Sequence, residues 1–323
     1  MNAESGAYIT TVLGAAPASN FGMTDAHQHV WIDRVIGIDP SAPVLEDLSV
    51  VREGLVRYKA VGGAALLDCQ PDGCGRNVAV LSALAQNSGV AIIACTGFHL
   101  RQYYPPDHWL WSANESDAGD YFIRELRDGA SESPAGGAIR AGFIKIACSG
   151  DLKEPPPRML AAAATASALT GAALLVHTDQ GALAEEILQR LLRFGAEPSR
   201  IVLCHMDKRP DPELHKTLAA TGVLLEYDTF FRPKYDPERN VWPLVEQMLT
   251  EGQAGAIAFG TDLADVESWR NPGPAGLPSI LAPRLVAMGC APDVVAALTG
   301  NNIVARLAIS RRAGARANYQ LPL

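Results

Sequence analysis

The chain has 323 residues, of which 48% are hydrophobic and 19% charged, with a net charge of −8. These are the proportions of an ordinary globular protein, and the acidic balance argues against nucleic acid or an anionic membrane as main partner. No apolar run is long enough to span a bilayer, and Met1-Asn2-Ala3-Glu4-Ser5-Gly6 has no basic region followed by an apolar block. The expectation is a cytoplasmic protein acting on a small molecule.

Short apolar, β-branched runs alternate with longer amphipathic stretches. In chain order, a strand at 22–31 precedes a helix at 48–60, a strand at 63–70 a helix at 76–88, and a strand at 90–98 a helix at 120–130. The alternation continues with a strand at 142–149, a helix at 158–169, a strand at 172–179 and a helix at 182–194. Strands at 201–207, 222–229 and 256–262, with helices at 212–220 and 240–251, complete it. Glycines such as Gly62, Gly89, Gly171, Gly195 and Gly222 fall at the helix ends, where helix C-termini prefer them.

Strands that are apolar throughout are buried on both faces, as in a parallel sheet. Eight strand–helix units without a linker predict a closed (β/α)8 barrel, one domain over 1–323. A short N-terminal extension would precede it, and helices in 291–309 would cap it. A doubly wound open sheet stays possible, because periodicity does not show closure. Pro155-Pro156-Pro157 reads as the stiff start of a helix. The six cysteines form no C-x-x-C pair and read as small buried hydrophobes in a reducing compartment.

Polar residues punctuate these apolar strands. His27 and His29, two apart on the first strand, share a face and can grip one metal ion. His177 and His205 end the fifth and sixth strands, Asp262 ends the eighth, and Lys145 sits inside the fourth. In a barrel these strand ends converge on one mouth. Singly, each histidine could be a hydrogen-bonded core residue and Asp262 a helix cap. Lys145 must bury its charge unless it is paired or neutralised; burial lowers the pKa of an amine, and a neutral amine can form a carbamate with carbon dioxide. The alternative is a lysine salt-bridged to Asp25 or Asp262.

These residues, in this order, resemble the phosphotriesterase family of the amidohydrolase superfamily, lactonases included. Val12-Leu13-Gly14, Gly75-Arg76-Asn77 and Thr96-Gly97-Phe98 extend the resemblance to about 12–307. It implies two divalent transition ions, usually zinc, with manganese or cobalt as alternatives. His27, His29 and Asp262 would hold one, His177 and His205 the other, and carboxylated Lys145 would bridge them. The cations would lower the pKa of a shared hydroxide, with Asp262 as catalytic proton shuttle. Asp179 and Asp207, each two residues after a ligand histidine, could orient imidazoles or simply cap helices.

The resemblance is incomplete where substrate would bind. His99 stands where long-chain lactonases have Tyr, and Thr229 where they have Arg. Tyr227-Asp228-Thr229 and Gly273-Pro274-Ala275-Gly276 look instead like the phosphotriesterase-homology branch. His99, Arg101, Arg232, Lys234 and Trp269 are the expected substrate contacts. The aromatic loop after the third strand either packs down or forms a wall for a small ring. The expected reaction is opening of a compact, hydroxylated or singly anionic lactone, or cleavage of a related ester. A phosphotriesterase or phosphoesterase of the same family and a ligand-binding protein with a vestigial metal site are the alternatives. A deaminase would need a Glu that His177-Thr178-Asp179-Gln180 lacks. The oligomeric state is open, a homodimer being the candidate.

Overall fold

The N-terminal extension folds as a hairpin, β1 (Ala7–Thr11) and β2 (Gly14–Pro17), in a computed structural model that describes residues 6–135 and 137–310. The expected strands follow as β3 (Met23–Gln28), β4 (Gly63–Asp68), β5 (Ala91–Gly97), β6 (Phe143–Cys148), β7 (Leu174–Thr178), β8 (Ile201–Cys204), β9 (Leu224–Tyr227) and β10 (Ile257–Phe259). Each pairs in parallel with its neighbour in chain order, so every crossover is a short local connection. Backbone N–H groups of Thr261 and Asp262 donate to the His27 carbonyl, at 3.2 and 2.8 Å, and join the last strand to the first. The sheet is therefore a (β/α)8 barrel rather than an open doubly wound sheet.

Seven helices alternate with the strands: α1 (Leu48–Ala60), α2 (Val78–Ser88), α3 (Glu115–Arg127), α4 (Pro157–Thr170), α5 (Ala184–Arg193), α6 (Pro212–Ala219) and α7 (Val241–Thr250). Side chains of Asp47, Asn77, Asn114 and Asp211 cap four of them by accepting backbone N–H bonds. α3 starts five residues before the expected 120, because its Glu115-Ser116-Asp117 turn is held by the Asn114 cap, not by an apolar stripe. After β10 come a short α8 (Val266–Arg270), not expected from periodicity, then α9 (Ala282–Ala287), α10 (Pro292–Ala296) and α11 (Asn302–Leu307). Among the described residues no helix is long and apolar enough to cross a membrane.

The hairpin forms a floor. Ile9 and Phe21 pack with the inward residues Ala65, Ile93 and Phe143 and with Ile303 of α11, and Val12 N–H donates to the Ile92 carbonyl. β11 (Ile309–Ser310) pairs with β1 to complete a small antiparallel sheet there. With one end filled by apolar side chains, polar chemistry is left to the other.

Candidate metal centre

Six donors reach the open mouth from five strands. His27 lies on β3 and His29 just beyond it; Lys145 is inside β6 and His177 on β7; His205 and Asp262 follow β8 and β10. The strands stop short of the expected 207 and 262: β8 ends where His205 takes left-handed backbone, with φ of 64°, and β10 ends at Phe259, before Asp262 does the same at 46°. Such a conformation costs a non-glycine residue about 1–3 kcal/mol, and here it turns both side chains in over the barrel. Gly97 permits close approach below them: a Cβ there would collide with the Lys145 carbonyl oxygen, and its φ of 108° suits glycine.

The side chains converge. Lys145 Nζ is 2.9 Å from His27 Nε2, and His205 Nε2 is 2.8 Å from His177 Nδ1. Asp262 Oδ1 lies 3.8 Å from His27 Nε2 and 3.6 Å from His29 Nε2. The far ring nitrogens are occupied: His205 Nδ1 faces Asp228 Oδ2 at 2.5 Å, His29 Nδ1 faces Gln70 Oε1 at 2.8 Å, and His27 Nδ1 faces Glu226 Oε2 at 3.4 Å. A proton on each of these Nδ1 atoms leaves three Nε2 lone pairs aimed into the centre. Burial depresses all four imidazoles, His29 to about 4, so they are neutral and able to ligate at pH 7.

Burial raises Glu226, and repulsion from Asp228 raises it further, so the proton of this buried pair resides on Glu226. Burial also works to raise Asp228, but His205, bonded to it through Nδ1, and the Lys208 ammonium hold it below the usual carboxylate range. For Lys145 the expectation of a lowered pKa is corrected. Burial pulls the amine down, but Cys69, Cys204, Asp262 and Cys95 together leave it above the ordinary lysine value. Burial pushes the thiols up, Cys69 to about 12.

Neutral imidazoles with pinned tautomers, a carboxylate among them and a fully buried lysine form a mixed nitrogen and oxygen donor set. Donor atoms of His27, His29 and Asp262 lie within 4.8 Å of one another. The residues present fit borderline divalent cations.

A cavity of about 180 Å³ opens above the donors. Of the expected substrate contacts, His99 and Arg232 line it. Arg232 Nη2 lies 2.6 Å from Asp262 Oδ2, and Lys208, which sequence reading passed over, stands 4.0 Å from the same oxygen. The other three are placed elsewhere. Lys234 is exposed over the Tyr235 ring, and the Arg101 guanidinium is spent on the carbonyls of Tyr104, Pro105 and Pro106. Trp269 is fully buried, its indole N–H donating to the carbonyls of His29 and Leu263, so it braces the β3 and β10 ends from behind.

Asp179 and Asp207 orient no imidazole. Asp179 is exposed and packs against Gly150, while Asp207 accepts from the backbone N–H groups of Asp228 and Thr229 and from the Thr229 hydroxyl. The orienting work falls to Asp228, Glu226 and Gln70. Glu226 had a signal, a charge directly after the apolar run Val223-Leu224-Leu225 and before Tyr227, a cue close to the one that singles out Lys145. Gln70 and Lys208 had none beyond their place after a strand.

A barrel whose open mouth gathers such donors defines a metal-dependent hydrolase of the (β/α)8 class. The model of the phosphotriesterase family matches residues 7–299, and the chain belongs to that family. It is 28% identical over 286 residues to the phospho-furanose lactonase of Mycoplasmopsis synoviae (strain 53), covering 82% of this chain and 79% of that protein. It is also 28% identical over 255 residues to the N-acetyltaurine hydrolase of Homo sapiens, covering 69% and 71%. The crystal structure of a lactonase from Listeria monocytogenes shares the fold, with a TM-score of 0.85 at 20% identity, over 93% of this chain and 98% of that one. The chain is a hydrolytic enzyme.

Proposed function

We propose that the enzyme opens a compact lactone carrying a single anionic group. The observation that carries this is the pair of cations, Lys208 and Arg232, at the edge of the donor cavity and both beside Asp262. In the reaction one water adds across the ring ester: its oxygen bonds to the carbonyl carbon, the ring C–O bond breaks, and the product is a hydroxy acid. Two divalent cations, zinc foremost, would make that water nucleophilic at neutral pH and polarise the carbonyl.

The chain's own groups do the rest. His27, His29 and Asp262 form one donor set and His177 with His205 the other. Lys145, as the carbamate its amine forms with carbon dioxide on loss of a proton, would offer two oxygens to both. Asp262 takes the proton of the attacking water and returns it to the leaving ring oxygen. Lys208 and Arg232 hold the anionic substituent, and a cavity of about 180 Å³ favours a small ring over a long acyl chain. The relatives support an anionic substrate: a phospho-sugar lactone and an N-acyl aminosulfonate both join a hydrolysable acyl bond to a tetrahedral oxyanion.

The test is kinetic, on enzyme reconstituted separately with zinc, manganese and cobalt, offered anionic and neutral γ-lactones, N-acetyltaurine and a phosphotriester. Elemental analysis should find about two metal equivalents per chain, and His27→Ala or His205→Ala should abolish nearly all turnover. Anionic lactones should lead neutral ones in kcat/KM by about tenfold or more, and Lys208→Ala should raise KM mainly for the anionic ones. Equal KM increases for both would remove the cations as anchor, and turnover of the amide alone would replace the lactone reading.

A further inference from the structure

The cavity is chemically lopsided. Its polar lining belongs to the barrel: His29, Gln70, His99 and His177 at strand ends, with Lys208 and Arg232 on the arc after β8 and β9. The segment after β3, residues 33–46, closes another side and contributes Val35, Ile38, Ala42 and Pro43, with Ile32 at its root. None of these five side chains has a hydrogen-bonding atom.

This segment is held as a formed loop. Its neck is a bridge between Ile32 and Leu45, whose backbone groups exchange bonds of 3.1 and 3.0 Å. Asp33 N–H donates to the Gly75 carbonyl, and its carboxylate accepts from Trp31 Nε1 at 2.7 Å and Asn77 Nδ2 at 2.9 Å. Arg34 N–H donates to Glu46 Oε1, and the Asp39 carboxylate folds back on Ser41. The tip approaches Pro106 of the loop after β5. Polar bonds are thus spent on the neck and the outer turn, and the inner face is left as hydrocarbon.

We propose that residues 33–46 form a specificity wall and that the natural substrate is two-faced. Its anionic group meets Lys208 and Arg232, and a hydrocarbon edge lies against Val35, Ile38 and Pro43. A lactone hydroxylated all round is disfavoured, because a hydroxyl pressed on this wall exchanges water for no partner. Alkyl groups gain there instead, by roughly tenfold or more for each that is well seated. This deepens the lactonase reading and rests on it for the identity of the scissile bond.

The experiment compares two γ-lactones with the same phosphate-bearing arm, one with an ethyl group and one with a hydroxyl at the ring carbon away from the arm. The corresponding tetrahydrofurans, which have no ester, serve as binding probes by calorimetry. The metal-loaded wild type should favour the ethyl compound about tenfold in both kcat/KM and Kd, and Val35→Ser/Ile38→Ser should bring the ratio to within about twofold. A purely structural role for the loop would weaken both compounds alike and leave the ratio unchanged, which overturns the proposal. So does equal use of both lactones, or preference for the hydroxyl, and in those cases the lactonase reading survives. Tighter binding of the ethyl probe without turnover of either lactone keeps the wall and removes the lactonase reading. Failure to bind either probe removes both.

Discussion

Asp228 fixes the tautomer of His205 through its 2.5 Å contact with Nδ1 and so points the Nε2 lone pair at His177. Asp228→Ala should therefore weaken metal binding about 10–100-fold, measured by competition with a chromogenic chelator. Unchanged affinity would mean that packing alone holds the ring. His215 illustrates a buried histidine outside the centre. Its Nδ1 lies 2.6 Å from the Tyr227 hydroxyl and its Nε2 3.0 Å from the Arg209 carbonyl, and burial lowers its pKa to about 4. The folded value lies below the unfolded one, so the neutral ring contributes its full stability above about pH 6.5 and loses it as pH falls toward 4, about 3 kcal/mol at most. His215→Gln should lose less stability than wild type between pH 6.5 and 4.5, read as urea midpoints; parallel losses would show that His215 does not drive the acid sensitivity. At this scale the sequence revealed the candidate donors that the fold brings together, because a charge or imidazole inside an apolar strand is conspicuous. It did not reveal which residues orient them: Asp207 and Asp228 are both carboxylates just past a strand, and only the turn at His205 decides which one meets the ring.

Among the elements, the strands were the more legible, since burial on both faces leaves them apolar from end to end. Their C-termini were overread, as left-handed backbone such as that of His205, directly after β8, leaves no trace in hydropathy. Helix starts were blurred where a side-chain cap rather than an apolar stripe begins the element, as at Asn114. One tie between elements had no sequence signature. Arg76, just before α2, bonds Glu125 of α3 through both terminal nitrogens, at 2.8 and 2.6 Å, and also reaches Glu132 and the Cys95 carbonyl of β5. The guanidinium and the Glu125 carboxylate are both buried, so Arg76→Met should cost about 3–5 kcal/mol by stranding that carboxylate. Arg76→Met/Glu125→Met should recover part of the loss. A double variant as unstable as the summed singles would show that the two residues act independently; chemical denaturation of all four proteins decides.

Over the whole molecule, eight apolar strands and their spacing were enough to count a barrel, but closure was not legible. It depends on backbone bonds from Thr261 and Asp262 to His27, which any residue but proline could donate. The hairpin floor was missed for a similar reason: β1 is five residues long and is held by Ile9 packing into the barrel end. Closure also has a consequence in time. Asp25 and Thr261 meet across 236 positions, and the seam between them carries His27 on one side and Asp262 on the other. At about 5–20 residues per second, a ribosome needs roughly 10–50 seconds to make the intervening chain. For that interval the first histidines exist without their carboxylate partner, and a nascent or truncated chain presents half a chelator. On the proposed ligand set, full metal occupancy would thus certify that translation has run past the last strand.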